Sequence, residues 1–180
     1  VSDLPAPVDA EVAAATFAAH LGDFFSNGRP TRDEAWALVQ LDPLHAVIIV
    51  PARRPDGGVD PYFLRLGAEY YDLWPPLAEF VEPGEGGTWV PAGPTSAWWP
   101  RQGNAAEFQF ALHNPYQYPD GRLGQLLCFS HSLGYYLSGH VPQPGERWVQ
   151  GTHTVSATLT RVADALVAPN YQGRSNDHDS

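Results

Sequence analysis

The chain has 180 residues, 20 of them acidic and 10 basic, a formal net charge of -10 and a hydrophobic fraction of 43%. Every basic residue is Arg; there is no Lys or Met, and Cys128 is the only cysteine. One sulfur excludes a disulfide framework and a zinc site of paired cysteines. Net acidity without a Lys-rich patch argues against a nucleic-acid partner, and no apolar run nears the roughly 20 residues of a membrane span.

A chain of this length buries about 70% of its unfolded surface, so one domain is expected over residues 1–171. The Ala-rich start follows Asp3, Asp9 and Glu11, not a basic n-region, and so does not read as a signal peptide. With the lone Cys, that points to a reduced, cytoplasmic setting.

Residues 8–26 read as an amphipathic helix. Ala10, Ala13, Ala14, Phe17, Leu21 and Phe24 recur at helical spacing, Asp9 is the N-cap, and Asn27-Gly28 ends it. His20 beside that stripe reads as a helix-boundary or core residue. Thr31 and Glu34 form a capping box for a second short helix. The apolar run 46–50 and the segment 61–66 read as strands joined by the turn 54–58, Arg-Pro-Asp-Gly-Gly. Pro75-Pro76 then enforces an extended approach to a strand, Leu-Ala-Glu-Phe-Val.

Residues 84–105, rich in Trp, Gly and Pro, read as an insertion. Trp89, Trp98 and Trp99 form either a lid folded onto the core or a platform for carbohydrate or peptide, the lid being the commoner outcome. Residues 107–112 alternate like a strand and run into the turn-rich stretch 113–124. The apolar segment 125–140 holds Cys128, and 141–148 is a loop closing on Trp148. Val155, Leu159, Val162 and Leu166 form a helix stripe stopped at Pro169-Asn170, and the tail 172–180 reads as disordered.

Three stretches resemble the ubiquitin-conjugating enzyme superfamily, in the family's order. Tyr-Tyr-Asp-Leu-Trp-Pro-Pro-Leu-Ala-Glu-Phe-Val from Tyr70 resembles its Tyr-Pro and Pro-Pro approach to a strand. Asn114-Pro115-Tyr116 and Tyr118-Pro119-Asp120-Gly121 resemble its His-Pro-Asn segment and Tyr-Pro-x-Gly turn. Trp148, the helix after Thr154 and Pro169-Asn170 resemble its C-terminal end. The match spans most of residues 62–170. It implies an α+β fold: an N-terminal helix, an antiparallel meander of about four strands, a long active-site segment and a C-terminal helix.

The family's catalytic words are altered. Aligned without a gap on the turn, Gly124 falls where the family carries its nucleophilic Cys. With four inserted residues, Leu127-Cys128-Phe129 takes that place. A Leu-Cys step with His131 close behind resembles bacterial members of the superfamily.

That resemblance implies transthiolation, in which a cysteine accepts the C-terminal acyl group of a ubiquitin-like protein from an activating enzyme and passes it to an amine. A ligase or target protein would be a further partner; no cofactor or metal is implied. The reaction needs a thiolate, which only Cys128 can supply. It needs an oxyanion donor, worth about 3 kcal/mol in comparable sites, for which Asn114 has the amide chemistry. His113 or His131 could instead supply the donor or a base, and Asp120 in the adjoining turn could orient the amine.

Other readings of the same residues stand beside this one. Cys128 in an apolar run also fits an inert core cysteine, and Asn114 before Pro115 also fits a turn role. Ser130 and Ser132 could form an oxyester. His131, His140 and His153 lack the spacing of a metal motif. A member without catalysis would be an adaptor that binds a ubiquitin-like protein or partner enzyme. A Cys/His hydrolase or a sugar-binding domain built on the Trp segment is the third class.

Overall fold

The computed structural model of the chain describes residues 6–28, 35–102 and 111–175. Helix α1, Ala10–Asp23, starts where the capping residue dictates. The Asp9 carboxylate accepts the backbone N–H groups of Glu11 at 3.0 Å and Val12 at 3.1 Å, two of the donors that a helix start leaves unpaired. Ala13, Phe17 and Leu21 are buried along one stripe, and Phe24 extends it into the closing π-helical turn Phe24–Gly28. Ala10, expected on that stripe, is exposed.

Five antiparallel strands form one sheet in the order β1-β2-β3-β4-β5. They are β1 (Ala37–Leu41), β2 (His45–Arg53), β3 (Val59–Gly67), β4 (Leu77–Pro83) and β5 (Trp89–Pro91). The expected hairpin is present: the 54–58 turn sets Ile48 opposite Leu64 and Ala46 opposite Leu66. Alternate residues Ala46, Ile48, Val50 and Ala52 of β2, Tyr62, Leu64 and Leu66 of β3, and Ala78 and Phe80 of β4 are buried. This is the period-2 pattern of a sheet with one face on a core.

Helix α3, Val155–Ala165, packs into that core. Val155, Leu159, Val162 and Leu166, the stripe read from the sequence, are all buried, and the Thr154 hydroxyl caps the helix start. The buried Tyr71 hydroxyl ties the two long helices together. It accepts the Val155 N–H at 2.9 Å and meets His20 Nδ1 at 2.6 Å. His20 is thus a structural partner at a helix end, as its position beside the stripe predicts.

The Trp segment folds back as a lid. Trp99 is buried in the core, while Trp89 and Trp98 pack against Phe63 with ring centroids 4.7 Å away in each case. Strand β6 (Pro100–Gln102) pairs with β9 (Tyr171–Arg174), and β7 (Ala111–Gln117) forms a hairpin with β8 (Leu123–Cys128). A five-residue helix, α2 (Leu133–Leu137), follows β8.

Several expectations meet a different outcome. The tail read as disordered from Gln172 carries strand β9 through Arg174, where the Arg174 guanidinium lies 4.9 Å over the Trp98 ring. The helix placed at Thr31–Glu34 lies outside the described residues, and by Ala37 the chain is a strand. Of the strand expected over 107–112, only its last two residues are described, and they open β7. Among the described residues no helix is long and apolar enough to cross a membrane.

Candidate functional site

The β7–β8 hairpin carries the cysteine, and one buried side chain fastens it to the main sheet. Gln125 Nε2 donates to the carbonyls of Phe80 at 2.7 Å and Ala92 at 3.0 Å, while Oε1 accepts the Phe80 N–H at 2.9 Å. Leu126 and Leu127 bury beside it, and β8 ends at the half-buried Cys128. Tyr118 closes the other end: it is buried, its hydroxyl donates to the Gln125 carbonyl at 2.7 Å, and loss of solvent pushes its phenol up to about 12.

Cys128 opens onto a cleft of about 330 Å³ lined by Ser130, His131, Tyr135, Glu146 and Arg161, among others. Burial pushes its thiol above the ordinary value, which disfavours the thiolate that acyl transfer requires. The side chain within hydrogen-bond reach of the sulfur is His140. Its Nε2 lies 3.8 Å from Cys128 Sγ, within reach of a weak thiol hydrogen bond. Its Nδ1 lies 2.6 Å from Ser138 Oγ, and that hydroxyl is 2.7 Å from the Tyr135 carbonyl.

Local sequence explains why His140 arrives there. Helix α2 ends at Ser138, and Gly139 follows at φ +82°, a conformation that L side chains rarely adopt. The Gly139 N–H then donates to the Tyr136 carbonyl and the His140 N–H to the Tyr135 carbonyl. These are the two bonds of a Schellman cap. The reversal lays the imidazole on the Tyr135 ring, with centroids 4.8 Å apart and planes at 27°, edge toward the sulfur.

The residues singled out from sequence divide sharply. His131 does reach the cleft beside Cys128, with its ring 4.8 Å from that of His153 and 6.1 Å from that of Trp148. Burial lowers its pKa, with His153 and Arg161 adding to the effect and the Ala157 backbone opposing it. His140 faces away from that pair toward Cys128, and no metal-binding group of three His, Cys, Asp or Glu occurs among the described residues.

Asn114, His113 and Asp120 are not gathered at the sulfur. Ala111 is the cross-strand partner of Cys128. Asn114 therefore stands about 10 Å further along β7, where its Nδ2 donates to the Ala92 carbonyl at 2.7 Å. Its amide serves as a clip between the hairpin and the end of β5. His113 lies opposite Leu126, exposed, against the Tyr116 ring. Asp120 sits in the turn beyond the start of β8, roughly 17 Å of strand from Cys128, accepting the Arg122 N–H at 3.0 Å.

Ser130 borders the cleft, whereas Ser132 is fully buried and its hydroxyl has no hydrogen-bond partner among the described residues. Sequence reading passed over His140 and Ser138 as site residues, although a glycine closing a helix one residue before a histidine is a readable signal. No protein-family model matches the chain, and no curated protein matches it in sequence.

Proposed function

We propose that this chain is a divergent ubiquitin-conjugating-like enzyme of the bacterial kind, which carries a ubiquitin-like protein on Cys128 and transfers it to an amine. The observation that carries the reading is the approach of the His140 imidazole to the sulfur of Cys128, a residue that lines a cleft. A half-buried cysteine with a raised pKa needs such a neighbour in order to act as a nucleophile. An α+β chain with an N-terminal helix and a five-stranded antiparallel sheet is compatible with the family that the sequence resembles. The partners would be the ubiquitin-like protein, its activating enzyme and a ligase or target.

The test is charging. With a cognate activating enzyme, a ubiquitin-like protein and ATP, the chain gains one adduct that thiols remove and that Cys128→Ala abolishes. An adduct resistant to thiols but cleaved by hydroxylamine transfers the acceptor role to Ser130. Absence of any adduct, with binding of the ubiquitin-like protein retained, replaces the enzyme reading with that of an adaptor.

A further inference from the structure

Hydrogen counting along the chain of contacts behind Cys128 fixes which nitrogen of His140 carries a proton. The Tyr135 carbonyl can only accept, so the single hydroxyl hydrogen of Ser138 is committed to it across 2.7 Å. Ser138 Oγ then has only lone pairs to offer at its 2.6 Å contact with His140 Nδ1. That contact requires a hydrogen on Nδ1. A neutral imidazole has one N–H, so Nε2 is bare, and Nε2 is the nitrogen that faces Cys128 Sγ at 3.8 Å.

We infer that Cys128, His140 and Ser138 form a nucleophile–base–orienter relay, in which Ser138 is the positioning residue that holds the basic nitrogen of His140 toward the sulfur. The relay deepens the conjugation reading and supplies its base. The Cys128 thiol gives its proton to Nε2 as the sulfur attacks the incoming acyl carbonyl. The carbonyl's bond to the leaving thiolate then breaks, and the imidazolium returns the proton to that thiolate, so protons and electron pairs balance.

The Schellman cap makes the arrangement one of fixed backbone. Tyr135 supplies both the carbonyl that orients Ser138 and the ring on which His140 stacks, and Gly139 brings the histidine over that ring. Exposed His140 and partly buried Ser138 can be substituted without opening the core.

The test uses iodoacetamide on the protein alone, so it stands apart from charging with a ubiquitin-like protein. The wild-type sulfur should be alkylated readily at neutral pH, because Nε2 takes up the thiol proton as the sulfur attacks. His140→Gln should slow alkylation at neutral pH by about tenfold. Ser138→Ala should lower the rate by a few-fold because Nδ1 loses its acceptor, and Ser138→Thr, which keeps the hydroxyl, should restore it to within about twofold. Circular dichroism establishes that the variants are folded. A His140→Gln or Ser138→Ala protein that is folded and keeps the wild-type rate overturns the relay. A failure to charge with a normal alkylation pattern instead overturns the conjugation reading and leaves the relay standing.

Discussion

His131 sits one loop away from the sulfur but has a different environment from His140. Its ring is packed among His153, Trp148 and the cleft wall that includes Arg161 and Glu146. Burial and the neighbouring His153 and Arg161 hold it below the ordinary histidine value of 6.5, which outweighs the opposite pull of the Ala157 backbone and Glu146. The folded chain therefore keeps this imidazole neutral, while the unfolded chain takes up a proton as the pH falls through that value. Its contribution to stability is complete above 6.5 and is lost progressively as pH falls below it toward the depressed folded value. Urea midpoints should accordingly drop between pH 7 and pH 5, and His131→Asn should drop less. An equal decline in both proteins would place the acid sensitivity elsewhere.

The hairpin that presents Cys128 is held to the sheet by a side chain acting as a piece of strand. Gln125 forms three hydrogen bonds with the backbone of Phe80 and Ala92, all of them buried. Gln125→Leu keeps the volume but strands the Phe80 N–H, and it should cost about 1–3 kcal/mol of unfolding free energy by chemical denaturation. It should also weaken the tether that fixes Cys128 relative to His140, which lies just beyond the cap of the following helix.

Nothing in Gln-Leu-Leu-Cys announces that role, whereas other elements were plain in the sequence. The α3 stripe and the β2–β3 hairpin were legible because each buries a regular face, at spacings that only a helix or a strand produces. Strand β1 was not. A register shift between Leu38 and Gln40 breaks the alternation, and adjacent Leu38 and Val39 are both exposed. Strand β9 is a polar segment made into a strand by pairing with residues some seventy positions away. The site shows the same division. Cys128 was legible as the sole sulfur, but the hairpin register, at about 3.3 Å per residue, separates it from Asn114 and Asp120. His140 reaches it only through the positive φ of Gly139.

The complete absence of lysine bears on the whole chain. A protein holding an acyl thioester keeps an electrophile within reach of its own surface, and a Lys amine near that point would compete with the intended acceptor. Here all ten cations are Arg, whose guanidinium stays protonated and does not serve as an acyl acceptor at neutral pH. Replacement of Lys by Arg in a GC-rich genome would produce the same composition with no such consequence, so the difference must be read from reactivity. Glu146 is suited to this: it is exposed and lines the cleft that Cys128 opens onto. Under the proposed function, Glu146→Lys would place an amine beside the Cys128 thioester without touching the core. Once charged, that variant should transfer the ubiquitin-like group to its own residue 146, giving an adduct that survives thiol treatment and maps there by mass spectrometry. The lysine-free parent should lose its adduct completely to thiol. A charged Glu146→Lys protein that discharges only to external amines would mean that the missing lysines are composition, and that the cleft itself directs the acyl group outward.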